Sequence, residues 1–164
     1  MITIANINDI NPADYVEVYI CMRSIESLTK DITGHKNVFH LPELSPSTEL
    51  FLWSQKMKKK FRWTETLFKE QYVPWFLKEM QSQEARNLLL SMICRSKDGI
   101  KIAICCSCPR QSLCHRSILA GLLHCNGGIE GTEVVDIYGE PLVKYDHYYG
   151  QYQFIEASLA AKSL

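Results

Sequence analysis

The chain has 164 residues, of which 46% are hydrophobic and 22% charged, a composition typical of a globular protein that is long enough to form a core. Lysine plus arginine and aspartate plus glutamate both number 18, so the formal net charge is zero. This balance argues against a generally basic protein that coats nucleic acid, although it leaves room for a local basic patch. The apolar runs are too short to span a bilayer.

The amino terminus and the cysteines indicate the compartment. The opening residues, MITIANINDI, have neither a basic n-region nor a long apolar h-region, so we expect no signal peptide. The seven cysteines are an odd number, and four of them crowd into one segment, CCSCPRQSLC. Without a secretory signal, this pattern predicts reduced thiols in a cytoplasm rather than a disulfide framework.

The first half of the chain begins with strand patterns. The stretch ITIA and the stretch Tyr15–Met22 read as two early strands, and NVFHL reads as a short third strand. The segment LPELSPSTEL reads as a loop because it contains two prolines. Ser47 or Thr48 is then placed to cap a short helix.

The middle of the chain has helical periodicity. The aromatic and apolar residues of WTETLFKEQYVPWFLKEM recur close to helical spacing, and Pro74 inside this run predicts either a kink or the start of a second helix. EARNLLLSMICRS continues as helix. After a DG turn, IKIAICC reads as a buried strand.

The last part of the chain alternates in the same way. SILAGLLH predicts a helix, NGGIEG a loop, TEVVDIYG a strand and YQFIEASLAAKSL a C-terminal helix, so residues 126–164 supply a final strand and helix. Alternating strands and helices predict an α/β fold with a mostly parallel, Rossmann-like sheet covered on both faces. We expect residues 1–164 to form a single domain.

The segment Cys105–Leu123, CCSCPRQSLCHRSILAGLL, carries the strongest functional signal. A strand, a tight loop and a helix start form the usual place for a ligand in such a sheet. If Ser112 caps the helix, then Cys114, His115 and Arg116 occupy its first turn. Cations there oppose the helix dipole, so their presence fits a site at which His115 or Arg116 meets an anion.

Three chemistries fit this segment. The first is an anion pocket, and the second is nucleophilic catalysis by Cys114 or a neighbouring thiol with His115 as base. The third is a metal site. The C-x-C-x5-C-H spacing argues against it, because ordinary zinc modules have a paired C-x2-C. Its possible ligands are Cys105, Cys106, Cys108, Cys114 and His115. No cysteine here is followed six residues later by arginine, which excludes the phosphatase pattern, and Cys105 reads as a small core residue.

These motifs resemble those of the family called domain of unknown function 488 (DUF488). The resembling features are CHR before an apolar helix, eight residues after the strand-end cysteine, and a Pro-Ser loop followed by spaced aromatics. They comprise Cys106, Cys114, Pro46, Ser47, Trp63, Phe68 and Tyr72, with Arg23 after the second strand. The resemblance covers about residues 2–125.

The resemblance implies a Rossmann-like α/β fold in a family whose members occur in bacteria and in phages. It does not supply an established reaction. Many members carry an acidic residue just after the strand-end cysteine, where this chain has Ser107 and Cys108.

Our leading hypothesis is a protein that binds a phosphate-bearing small molecule or nucleotide at the Cys106–Arg116 loop. As an enzyme it would be a nucleotide- or nucleic-acid-directed hydrolase or transferase. Arg116 and Arg23 would hold the anion, His115 would move a proton, and Cys114 would act as nucleophile or polar wall. The further candidates for ligand binding are Cys106, Ser107, Cys108 and Ser47.

Other hypotheses remain open at this level. A binding protein without turnover, for example a phage-encoded protein in the host cytoplasm, would sequester a nucleotide signal or a host protein. A thiolate metal site and a redox-sensing thiol cluster are the remaining alternatives. The basic cluster Lys56–Arg62 suits a phosphate backbone, but a solvated helix face explains it more simply. The residues YDHYYGQY would close a pocket or form an interface.

Overall fold

A computed structural model describes residues 1–126 and 133–141. Within them, five strands form one sheet in the order β3-β2-β4-β1-β5, and every ladder between neighbouring strands is parallel. The strands are β1 (Ile2–Asn6), β2 (Glu17–Ile20), β3 (Val38–His40), β4 (Ile102–Cys106) and β5 (Val134–Val135). The predicted parallel α/β sheet is therefore confirmed.

The two faces of the sheet bury different side chains because neighbouring residues of a strand point to opposite sides. Ile4 and Ile104 join the larger apolar cluster, whereas Ala5, Ala103 and Cys105 join the smaller one. Burial on both faces explains why β4 reads as a continuous apolar run. Cys105 is fully buried, as expected for a small core residue.

Six α-helices are present in the described residues. They are α1 (Lys30–Thr33), α2 (Thr48–Lys59), α3 (Glu65–Leu67), α4 (Val73–Glu79), α5 (Gln83–Lys97) and α6 (His115–Cys125). Helices α2, α4, α5 and α6 contribute to the larger cluster, whereas Ile32 of α1 packs against the smaller one. None of these helices is long and apolar enough to cross a membrane.

Pro74 interrupts regular helical bonding, as the sequence predicts. The run that contains it has a π-helical turn, Phe68–Tyr72, between α3 and α4, and Pro74 lies at the start of α4. Because proline has no N–H, the ordinary bond to the carbonyl of Glu70 cannot form there. The wider turn keeps Phe68, Tyr72 and Phe76 stacked, with ring centroids 5.2 and 6.2 Å apart.

Two sequence predictions need correction. Helix α6 begins at His115 with Cys114 as its N-cap, whereas Ser112 belongs to a preceding 3-10 turn, Gln111–Leu113. The backbone N–H and hydroxyl of Ser117 both bond the Cys114 carbonyl, which fixes that start.

The predicted strand TEVVDIYG shortens to β5, because a turn at Asp136–Gly139 follows at once. Asp136 stabilises that turn by accepting hydrogen bonds from the backbone N–H groups of Tyr138 and Glu140. The predicted C-terminal helix, the segment YDHYYGQY and most of the NGGIEG loop lie outside the described residues.

The topology creates a crevice between β2 and β4. These strands are neighbours, with Ile20 paired to Cys105, but the chain leaves them in different directions. From β2 it passes through α1 on the face of the smaller cluster, and from β4 it passes through α6 on the face of the larger cluster. Ligands in open α/β sheets bind at such a switch point, beyond the carboxyl ends of the strands.

Candidate functional site

A pocket of about 670 Å³ lies at this crevice. Its walls come from the segment after β2, one face of α2, two aromatic side chains and the β4–α6 loop. Six of the eight site residues predicted from sequence line it, namely Arg23, Cys106, Ser107, Cys108, Cys114 and His115. The other two, Arg116 and Ser47, are not among the lining residues.

Three sulfurs and one imidazole form a cluster on the wall made by the β4–α6 loop. Cys106 is the last residue of β4 and Cys108 follows two positions later, with their Sγ atoms 3.4 Å apart. Cys114 caps α6, and its Sγ lies 3.6 Å from Nδ1 of His115, the first residue of that helix. A strand end and a helix start thus bring these groups together.

The hydrogen bonds among the three thiols favour a negative charge on one sulfur, that of Cys108. Hydrogen bonds from Cys106 and Cys114 hold the pKa of Cys108 well below its ordinary value, with further support from the charge of Lys58. Burial raises the pKa of Cys114, and the bond to Cys108 raises that of Cys106. Cys108 is also the least buried of the three residues, so a charge on its sulfur loses less hydration than a charge on Cys106 or Cys114.

His115 is held in one tautomer. Its Nε2 lies 2.6 Å from the carbonyl oxygen of Cys21, which can only accept, so Nε2 carries the proton and Nδ1 is left free to accept. Burial lowers the pKa of the ring, which keeps it neutral. The ring packs 5.6 Å from Phe76. The bare Nδ1 is therefore a fixed base or ligand beside Cys114.

Arg116 is a buried residue that hydrogen-bonds the backbone of the β4–α6 loop. The residue is 2% exposed, and its two terminal nitrogens donate to the carbonyl oxygens of Cys106 at 3.2 Å and Cys108 at 2.7 Å. Its position at the second residue of α6 turns it toward the backbone of the loop that carries the thiols. The geometry makes Arg116 a positioning group for Cys106 and Cys108.

Ser47 has a structural position. Its hydroxyl oxygen accepts from the backbone N–H of Leu50 and so caps α2, as predicted. The same hydroxyl and the Ser47 backbone N–H both donate to the carboxylate of Glu79 on α4. These contacts fix the start of the helix that forms one pocket wall.

Two cations face the pocket from different elements. Arg23 follows β2, is exposed, and donates to the carbonyl of Pro46 at 3.4 Å. Lys58 of α2 lies with its ammonium 5.1 Å from the centre of the Trp63 ring. Glu26 supplies the single carboxylate among the described residues that line the pocket.

Sequence reasoning missed the pocket roles of Lys58, Trp63 and Tyr72. The aromatics are core residues as predicted, but each also presents a surface to the pocket. A signal for Lys58 existed, because Ser54 and Lys58 stand four residues apart and share one helix face, which lines the pocket.

A metal ion is compatible with part of the cluster. The ligand atoms of Cys106, Cys114 and His115 all lie within 4.8 Å of one another. The bond from Nε2 of His115 to a backbone carbonyl is the second contact that metal-binding histidines usually make. Cys105, the other strand-end thiol considered as a ligand, packs into the opposite core cluster.

Comparison with known proteins gives one family match. The family model DUF488-N3a, described as the active DUF488-N3 subclade, matches residues 2–127. No curated protein and no solved structure matches the chain. The matched range includes all of the strands and helices described above except β5.

Proposed function

The chain belongs to the DUF488 family, in its N3a subclade, and we propose that it is a thiol-dependent hydrolase or transferase acting on a phosphate-bearing small molecule or nucleotide. The observation that carries the proposal is the thiol and imidazole cluster on the wall of a pocket that also presents Arg23 and Lys58. The family's description as an active subclade supports an enzyme over a binding protein.

In this proposal the nucleophile is Cys108 rather than Cys114. Cys114 is 2% exposed and its thiol is the more basic, whereas Cys108 is half-buried and accepts hydrogen bonds from its neighbours. Only an ionised sulfur that a ligand can reach is a competent nucleophile. Cys114 then acts as a donor that stabilises the charge on Cys108.

The remaining groups have defined tasks. Arg23 and Lys58 attract the phosphate, and the Cys108 sulfur attacks the electrophilic centre, forming one bond as the bond to the leaving group breaks. The leaving group takes a proton from a neighbouring thiol. Water, or an acceptor hydroxyl in a transferase, then releases the adduct from Cys108 and returns that proton through Nδ1 of His115.

The test is a turnover assay with matched cysteine variants. Nucleoside phosphates and sugar phosphates are incubated with the protein and followed by phosphorus NMR, and intact mass spectrometry follows adducts on the protein. We expect conversion by the wild type, loss of at least about 100-fold in Cys108→Ser, and full activity in Cys94→Ser, since Cys94 is exposed on α5. Ligands recovered unchanged, without any adduct, would instead support the binding protein.

A second candidate function is a zinc-dependent site, favoured by the mutual approach of Cys106, Cys114 and His115. Two thiolates and an imidazole with an open position toward a pocket are a known catalytic zinc arrangement. Elemental analysis of protein purified without chelator tests it. One zinc per chain, lost in Cys114→Ser and kept in Cys94→Ser, would replace the nucleophile model, and a metal-free protein with thiol-dependent turnover would eliminate zinc.

A further inference from the structure

A second groove, of about 420 Å³, adjoins the pocket. The two cavities share wall residues, including Lys58, Trp63 and Cys108. The outer groove adds Phe61 on one side and Arg110 on the other. A continuous recess therefore extends from the Cys108 sulfur to the protein surface at Phe61.

Phe61 has no place in the core. The side chain is 97% exposed, and its backbone has a φ of 55°, in the left-handed region that phenylalanine rarely adopts. Exposing a phenyl ring and holding its backbone in this region both cost stability, so the fold gains nothing from the residue. An exposed aromatic beside a cavity is a surface on which a planar ligand group can stack.

Positive charge surrounds this ring. Five of the seven residues from Lys56 to Arg62 are basic, in a chain whose total formal charge is zero. Lys58 of this run lines the groove together with Arg110, and no carboxylate is among the described residues that line it. The groove is therefore a locally basic channel with an aromatic at its outer end.

We propose that this groove binds single-stranded nucleic acid and that the substrate of the Cys108 pocket is a nucleotide within or at the end of such a strand. Lys58, Arg110 and the basic run contact successive phosphates, and an unpaired base stacks on Phe61. A duplex does not fit this pattern, because its bases are already stacked and unavailable to the ring. The substrate part rests on the function proposed above, whereas strand binding does not depend on it.

The test is fluorescence anisotropy with two labelled probes, dT12 and U12, at several salt concentrations. We expect both single strands to bind more tightly than a 12-base-pair duplex and to weaken with salt. Phe61→Ala should weaken binding roughly tenfold, and Phe61→Trp should retain it. Lys59→Gln/Lys60→Gln should weaken binding and reduce the slope of log K against log salt by about 1.

Matched controls lie elsewhere on the surface. Tyr138→Ala removes an aromatic that is 83% exposed, and Lys36→Gln/Lys97→Gln removes two exposed charges outside the groove. Both should bind like the wild type. No binding to either probe, equal affinity for the duplex, or equal losses in controls and groove variants would each overturn the inference.

The two proposals fail separately. If turnover of small phosphate compounds depends on Cys108 but neither probe binds, the nucleic-acid inference alone is wrong. If the probes bind through Phe61 but neither they nor small compounds are converted, the strand-binding groove stands and the enzymatic proposal is wrong. Preference between dT12 and U12 identifies the kind of strand.

Discussion

Arg116 shows how burial decides the role of a charged residue. Sequence reasoning places it against an anionic ligand, but its guanidinium donates to two carbonyls of its own chain. We expect Arg116→Ala to lower the free energy of unfolding by about 3 kcal/mol, because the Cys106 and Cys108 carbonyls each lose a donor, with Asn6 still donating to Cys108, and a cavity remains. Urea denaturation measures this change.

Two variants complete that test. Arg116→Lys keeps the charge but lacks the two-pronged donor, so its loss of stability should be intermediate. Arg110→Ala removes an exposed arginine from the same loop and should change stability by less than about 0.5 kcal/mol. A fully stable Arg116→Ala that no longer binds phosphate compounds would restore the original ligand assignment.

Phe61 offers the opposite case, a residue whose removal should strengthen the fold. Glycine accepts a φ of 55° without steric cost, so Phe61→Gly should raise the free energy of unfolding by about 1 kcal/mol. The neighbouring exposed Arg62 has an ordinary negative φ, so Arg62→Gly should lower stability by a similar amount. If Phe61→Gly and Arg62→Gly lower the free energy of unfolding equally in thermal and urea denaturation, the backbone at Phe61 is not strained.

At the residue scale, sequence predicts which side chains gather but not which one carries the charge. The order of Cys106, Cys108, Cys114 and His115 along a strand, loop and helix was enough to expect a cluster. Assigning the thiolate to Cys108 required relative burial and sulfur–sulfur distances, which depend on where α6 begins. Since that start lies two residues later than expected, Cys114 became a buried cap.

At the element scale, an ion pair joins β2 to α5. Glu17 accepts hydrogen bonds from Arg95 and from the hydroxyl of Tyr19, and the bonds from Arg95 are the main cause of its lowered pKa. A carboxyl whose pKa is lowered by folding stabilises the protein above its unfolded pKa, and that contribution is lost as pH falls through the folded pKa.

The resulting prediction concerns acid stability. Glu17→Gln should be less stable than wild type at pH 7, and the difference should shrink as pH falls below about 4, where the unfolded carboxyl protonates. Denaturant midpoints between pH 3 and 7 measure it, with Glu70→Gln, at an exposed position, as control. A difference that stays constant across this range would show that the charge of Glu17 does not stabilise the fold.

The elements themselves were largely predictable because their hydrophobic periods are long. Strands β1 and β4 and helix α5 lie where their sequence patterns place them, and α2 begins after the Ser47 cap but runs on further than the short helix expected there. The π-helical turn was not predictable, since proline alone permits a kink, a break or a wider turn. Packing of the Phe68, Tyr72 and Phe76 rings on one another accompanies the wider turn.

At the scale of the whole molecule, the site exists only because distant segments meet. Arg23, Lys58 and Cys108 come from three separate parts of the chain, and the strand order 3-2-4-1-5 brings the ends of β2 and β4 together. A sequence reveals that parallel strands share an edge, but it does not reveal their order. The sequence therefore indicated the β4–α6 wall, and the opposite wall of α2 required the structure.

Because the site forms only when distant segments meet, the reactivity of Cys108 is a property of the folded chain. Its lowered pKa comes from the thiols six residues downstream and two upstream and from the charge of Lys58 on α2, all of which disperse on unfolding. At pH 6 we therefore expect iodoacetamide to alkylate Cys108 in the native protein at least about tenfold faster than exposed Cys94, since an ordinary thiol is almost wholly protonated there. Peptide mass spectrometry resolves the two sites.

In 8 M urea the alkylation rates of Cys108 and Cys94 should converge. The faster native rate of Cys108 should also fall in Cys114→Ser, which removes one donor to the Cys108 sulfur. Equal native rates would mean that Cys108 is an ordinary thiol, and the nucleophile would then have to be sought elsewhere in the cluster.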